Sequence, residues 1–349
     1  MNNYFDYAAS TPVSTPVLKA IEFWSNDNFA NPSASHKDGV NASKAIQKTR
    51  EVIANKLGAM PSEIIFTSGA SESNNLAIKG VAFQHLESKG HIITSSIEHK
   101  CILNTCSYLE KLGFEVTYLQ PTSDGIIKPD SLYAAIQNNT ILITIHHINN
   151  ELGTIQTIEE FGAIAFDNNI PFHTDAAQSF CKVDIDVDDM DIDMLSLSGH
   201  KIYGPKGVGA LYVRDARNSG LVPLIHGGGQ ENGLRGGTSP TPLIIGLGAA
   251  VNHFPKTKSE QHQEFERIIR NYSVVRNGGN SLLDTTWNIT FDSDSEVNKF
   301  FSEHPWLVSQ GSACNAMSNT PSHVLTAIGL NESEARRTYR ISLPPYHGT

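Results

Sequence analysis

Apolar side chains recur along the chain with two alternating periods. The stretch VNASKAIQKTREVIANKLG sets Ala42, Ile46, Thr49, Ile53 and Leu57 on one helical face and closes on glycine, which predicts a helix with its stop signal. EIIFTS then predicts a short strand, SESNNLAIKGVAFQHLE a helix, HIITSS a strand, CILNTCSYLEKLG a helix and EVTYLQ a strand. The alternation continues through TILITIHHI, a helix near TIEEFGAIAFDNN, and the strands IPFHTDA, DMLSLSG and GALYVR. Short continuous apolar strands separated by helices predict an α/β fold with a largely parallel sheet covered on both faces. In such sheets ligands gather at the carboxyl ends of strands. From about residue 253 the texture changes to the charged segment KTKSEQHQEFERIIRN, short elements and a helix-to-strand ending at YRISL, which predicts a smaller second domain.

Composition narrows the class. A chain of 349 residues that is 39% hydrophobic and 18% charged has enough apolar surface for a sizeable core. Its opening, MNNYFDYAAS, lacks a basic segment followed by an apolar one, and the longest apolar run, near PLIIGLGAAV, falls far short of the ~18 residues of a spanning helix. A soluble, cytoplasmic protein without membrane contact is expected. The net charge of −10 opposes a broad basic face, so direct nucleic-acid binding is not expected. Four cysteines, at 101, 106, 181 and 314, form neither a paired framework nor a CxxC metal signature and read as reduced thiols.

Candidate chemistry falls at the strand ends. IIFTSGASESNN passes from a strand through Gly69 into a helix, which leaves free backbone N–H groups that suit a phosphate; without a Walker loop the same glycine also reads as a plain tight turn. Asp175 closes the strand of FHTDAAQS, where it is either a buried carboxylate in need of a partner or a helix cap. Lys201, in SLSGHKIYGPKGVGALYVRD, follows a strand-like run beside Ser198 and His200. It reads as an amine activated by burial, or as a solvated loop lysine. Taken together, a phosphate cradle, a carboxylate and such a lysine match the needs of pyridoxal phosphate.

SQGSACNAMSN, residues 309–319, carries Cys314 among small residues with no apolar period, so an exposed, mobile loop over about 309–320 is expected. Cys101 and Cys106 stand five apart on a helix, on different faces, and read as packed or idle thiols; Cys181 reads as buried. VDIDVDDMDID alternates acidic and apolar residues as an edge connection or half-buried strand does, and no metal site is expected there. His146 and His147 point to opposite faces if their segment is a strand.

Beyond these local readings, TSGASESNNLAIKG, HHINNELGTIQ, HTDAAQS, SLSGHKIYGPKGVGALYVRD, HGGGQENGLRGGT and QGSACN closely resemble the pyridoxal-phosphate cysteine desulfurases of the fold type I, class V aminotransferase group. The likeness runs from YFDYAASTPV to RISL, and GSAC resembles the subgroup with a long mobile cysteine loop. It implies a large domain over 14–252 with a mainly parallel seven-stranded sheet, and a smaller α/β domain from 1–13 and 253–349 that carries the loop. By that resemblance Lys201 would hold the cofactor, Asp175 would protonate its pyridine nitrogen, Gln178 would contact its phenolic oxygen, and His99 would stack on its ring and assist proton transfer. Ala70, Ser71, Ser198, His200 and Thr238 would bind the phosphate, with Thr238 supplied by the other subunit of a homodimer. Asn150 and Arg340 would hold the substrate carboxylate, and Asn31 and His36 would belong to the entrance loop.

The implied reaction converts L-cysteine to L-alanine and leaves a persulfide on Cys314 for an acceptor protein in iron–sulfur assembly or nucleic-acid sulfur modification such as DNA phosphorothioation. Cys314 itself has no neighbouring cation to lower its pKa, so activation falls to groups met in the site, with His99 a candidate. A selenocysteine lyase or another aminotransferase-like pyridoxal enzyme is the alternative, and a catalytically silent partner-binding scaffold is the alternative of another class. Relative to the family pattern, residues 253–314 are few and little follows Arg340. A dedicated acceptor is therefore expected.

Overall fold

A computed structural model describes residues 3–310 and 321–348. Cys314 and its neighbours in 311–320 lie outside the described residues. Two helices open the chain, α1 (Thr15–Asn26) and α2 (Lys37–Leu57), and the second carries the expected buried stripe. It ends at Gly58, whose φ of 71° is a left-handed cap and whose missing Cβ leaves room for Asp186.

From there β1 (Ile64–Thr67), α3 (Ala70–Ala82), β2 (His91–Ser95), α4 (Lys100–Lys111), β3 (Glu115–Leu119), α5 (Pro129–Ala135) and β4 (Thr140–Thr144) alternate. They are followed by α6 (Ile158–Asp167), β5 (Phe172–Asp175), β6 (Met194–Ser198) and β7 (Gly209–Val213). These strands form one seven-stranded sheet in the order β1-β7-β6-β5-β4-β2-β3. Only β7 runs against its neighbours, so the sheet is mainly parallel, as the alternation predicts. Strands β2, β5, β6 and β7 are buried along their whole length, which explains why they read as continuous apolar runs. One face packs against a core containing Ile53, Leu57, Phe161 and Leu247, the other against Leu76, Ile102 and Leu109.

After α7 (Thr241–Asn252) come α8 (Glu260–Ile269), β8 (Val274–Asn277), β9 (Thr286–Phe291), α9 (Asp294–Glu303), α10 (His323–Ala327), α11 (Glu332–Arg336) and β10 (Thr338–Ser342). The three strands make an antiparallel sheet ordered β10-β9-β8, with its own core around Phe265, Phe291 and Phe300. The N-terminal segment joins that sheet through a bridge from Asp6 to Ser342, and Tyr4 bridges Leu307 in the segment after α9.

VDIDVDDMDID is no strand. It is a chain of turns linking β5 to β6, in which Ile185, Val187 and Ile192 are buried, Asp186 caps the backbone N–H groups of Asp188 and Asp189, and Arg214 meets Asp188 and Asp193. The alternation therefore reports a connection lying on the core rather than a sheet edge. No helix among the described residues is long and apolar enough to cross a membrane.

Candidate active site

An open cavity of about 440 Å³ lies at the carboxyl ends of β1, β5 and β6, bounded also by the N-terminal segment and by β10. Lys201, His99, Asp175 and Gln178 line it, as do Ala70, Ser71, Ser198 and His200, together with Asn150 and Arg340. Ten of the residues singled out from the sequence thus meet in one place.

Its floor is the turn between β1 and α3. Gly69 has a φ of 149°, and β7 approaches so closely that a Cβ on Gly209 would stand 2.7 Å from the Gly69 Cα. Among the described residues no side chain caps α3 at Gly69, so the backbone N–H groups of its first turn stand beside the cavity at the positive end of a 13-residue helix. Glu72 braces this turn by accepting the Ser68 N–H and pairing with Arg235.

Asp175 sits at the end of β5 and is 7% exposed. Its Oδ1 accepts the Ala177 N–H at 2.9 Å, as a capping carboxylate does, and its Oδ2 accepts from Asn74 Nδ2 at 2.7 Å. Both of the sequence-level readings therefore hold: Asp175 caps a turn and also lines the cavity. Asn74, on the buried face of α3, was not anticipated; its place in the helix turn after Gly69 was the available signal.

His99 is the N-cap of α4, and its Nδ1 accepts the Cys101 N–H at 3.2 Å. The Cys101 Sγ lies 3.0 Å from the same nitrogen and 3.2 Å from Asn74 Nδ2. Burial pushes the Cys101 thiol up to about 12, with Asp175 adding to the effect, so the thiol stays protonated and donates to His99. The imidazole proton is thereby assigned to Nε2. Burial, helped by Lys201, also holds His99 below the ordinary histidine range against the pull of Asp175. Cys101 is packed against the apolar cluster of α3 and α4, as one of its two readings has it, and also lines the cavity, which neither reading included; Cys106 and Cys181 are buried in apolar clusters.

Lys201 ends a short helical turn, Gly199–Lys201, and its Nζ donates to the carbonyls of Ala8 and Ala9 at 2.6 and 2.9 Å. Gln178 Nε2 donates to the same Ala8 carbonyl at 2.9 Å. His200, pushed down to about 4 by burial and by Lys201, is a neutral ring at neutral pH.

Arg340, on β10, is 2% exposed and donates to the Asn150 carbonyl at 2.9 Å and to Asp6 Oδ1 at 2.6 Å. Among the described residues its Nε is buried without a partner. Beside it, His146 Nδ1 meets the fully buried Glu98 at 2.8 Å. Pairing with β5 continues past the end of β4, through the His147 N–H to the Asp175 carbonyl, and of the two histidines His146 lines the cavity while His147 is buried away from its lining, as alternation implies.

Asn31, His36 and Thr238 are not brought to the cavity. Asn31 Oδ1 accepts from its own loop at Ser33, His36 caps α2 by accepting the Gly39 N–H, and Thr238 is exposed on the glycine-rich segment after β7. Cys314 lies outside the described residues, but the chain flanking it reaches the site. Ser309 bridges Arg340 through the backbone and donates to Asp6 Oδ2 at 2.9 Å, and on the far side His323 Nε2 stands 3.0 Å from the Glu98 carbonyl.

The family model described as aminotransferase class-V matches residues 3–348. The cysteine desulfurase IscS of Rickettsia prowazekii (strain Madrid E) is 42% identical over 351 aligned residues, covering 97% of this chain and 86% of that one. A solved structure described as SspA in complex with cysteine is 70% identical, with a TM-score of 0.97 over 99% of both chains. That of DndA from Streptomyces lividans is 34% identical, with a TM-score of 0.81 over 98% of this chain and 99% of the other.

Proposed function

We infer that this chain, which belongs to the aminotransferase class-V family and is a cysteine desulfurase, works with pyridoxal phosphate in the described cavity and passes sulfur out through Cys314. The observation that carries the reading is the convergence of Lys201, Asp175, His99 and Arg340 on one cavity that also holds an uncapped helix start.

The donor set fits the cofactor. A lysine amine suits its aldehyde, a buried carboxylate its ring nitrogen, and the first turn of α3 with Ser71, Ser198 and His200 its phosphate. When bound, pyridoxal phosphate supplies an aldehyde for amines and a ring that accepts electron density from the substrate Cα. Arg340 and Asn150 orient the L-cysteine carboxylate, and Lys201 Nζ takes the Cα proton. Asp175 would hold a proton at the ring nitrogen, and Asn74 keeps that carboxylate aimed. His99 offers its Nε2–H to the cavity side.

The Cys314 thiolate attacks the substrate sulfur: an S–S bond forms, the C–S bond breaks, and its electron pair returns to the substrate, which leaves as alanine after protonation at Cβ. The persulfide then goes to a separate acceptor protein. SspA, the 70% identical relative, is described with cysteine bound, which supports L-cysteine as the substrate here. A homodimer in which Thr238 serves the partner's phosphate site accords with its exposure in its own chain. The two-domain division at 14–252, and a cytoplasm able to keep Cys314 reduced, complete the proposal.

The test is direct. Purified protein should carry visible absorbance that Lys201→Ala abolishes, and should release alanine from L-cysteine. Colourless protein that binds partners but turns over nothing would favour the scaffold instead. Sulfur-labelled protein offered a general iron–sulfur scaffold beside proteins copurified from its host should transfer preferentially to one of the latter.

A further inference from the structure

One buried cation has no part in the reaction as derived. Lys182 lies four residues beyond Gln178 in the turns after β5, and is 2% exposed. Its Nζ donates to Gln178 Oε1 at 2.9 Å, and among the described residues no carboxylate pairs with it. Burial pushes this amine down to about 7; Lys201 and Arg340 repel its charge, and Cys181 alone opposes them. A side chain in that state costs folding free energy that an apolar one of similar length would not.

The geometry shows what the lysine does there. An amide has one accepting and one donating end, and an ammonium can only donate. Lys182 therefore takes Gln178 Oε1, and Nε2 turns to the opposite side, where it donates to the Ala8 carbonyl that also accepts from Lys201. Without Lys182 the Ala8 carbonyl would hold that orientation alone, and Gln178 Oε1 would lose its buried donor.

We propose that Lys182 is a positioning residue of the cofactor site: it locks the Gln178 amide with its N–H toward Lys201 and places a positive charge behind it, so that the site favours an anionic oxygen on the cofactor at that amide. This rests on the pyridoxal-phosphate reading of the cavity. Where the amine is charged, toward the acidic end of the range, it also reaches Lys201, whose protonation in the cofactor-bound state it disfavours.

The experiment uses the protein loaded with pyridoxal phosphate, titrated by visible absorbance between about pH 6 and about pH 9 as unsubstituted chain, Lys182→Met and Lys182→Gln. Lys182→Met should move the absorbance midpoint upward by about one pH unit, because removing a cation favours the protonated linkage at Lys201. It should also lower cofactor affinity by about tenfold through the freed amide. Lys182→Gln, which can still donate to Gln178 Oε1, should recover the affinity but keep the shifted midpoint. Lys182→Met should melt at a higher temperature than the unsubstituted protein, with the larger gain at the acidic end of that range, where the buried amine is charged. An unmoved midpoint in a folded Lys182→Met protein would overturn the proposal. No visible band in the unsubstituted protein would overturn the pyridoxal reading and the proposal with it.

Discussion

Asp6 and Arg340, 334 residues apart in the chain, meet at 2.6 Å in the wall of the cavity. The other oxygen of Asp6 accepts from Ser309, which lies five residues before Cys314. One carboxylate thus holds both the guanidinium expected to grip substrate and the stem of the segment that carries the thiol. Asp6→Asn would keep the shape and remove the counter-charge of a buried arginine. The variant should be less stable by about 2 kcal/mol, the cost of breaking a buried pair reduced for the partial exposure of Asp6. L-alanine, whose carboxylate can neutralise Arg340, should raise its melting temperature more than that of the unsubstituted protein. Equal shifts would show that Arg340 does not meet the ligand carboxylate.

Asp175→Ala should abolish turnover even where cofactor remains bound, since nothing then stabilises the ring proton. Asn74→Ala, which keeps the carboxylate but frees it, should lower kcat about tenfold, the worth of a hydrogen bond to a charged group. Turnover near the unsubstituted rate in Asp175→Ala would remove that residue from its role.

Cys314→Ser should still change the visible spectrum on addition of L-cysteine, because that step needs only Lys201 and the carboxylate clamp. It should release almost no alanine. Alanine formed at an undiminished rate would make Cys314 a bystander.

Acid should destabilise the fold through two histidines. Burial holds His147 down to about 4, with His146 adding to the effect, and burial holds His173 down to about 3. The unfolded chain protonates each near pH ~6.5 while the folded chain does not, so their contribution is complete above that pH and is lost as pH falls toward the folded values. The loss should reach roughly 2 kcal/mol for each at about pH 5. His173→Gln should flatten the melting temperature against pH over this range; an unchanged slope would contradict the assignment.

If Thr238 serves the partner's site, mixing Lys201→Ala with a poorly active Thr238→Ala chain should restore activity. Exchange forms hybrid dimers with one complete site, so recovery should approach about a quarter of the unsubstituted level. No recovery after verified subunit exchange would place Thr238 in its own chain's site.

Much of this architecture is legible in the chain because it depends on local periodicity. The stripe Ala42, Ile46, Ile53 and Leu57 could bury itself only as a helix, and Gly58 could end it only because its left-handed backbone admits no Cβ at low cost. Buried parallel strands announce themselves as apolar runs, and the polar residues that close them, Asp175 and Ser198, mark where a ligand can sit.

What the sequence by itself determined, then, is the alternation of elements, the sheet they build and the residue types waiting at its strand ends, all set by neighbours within a few positions. Only the tertiary structure decided that Asn74 donates to Asp175, that Cys101 donates to His99, that Glu98 holds His146 and that Lys182 donates to Gln178. These depend on distances and on burial between elements brought together by folding, and a hydrogen bond or a desolvated charge has no signature until its partner is in place.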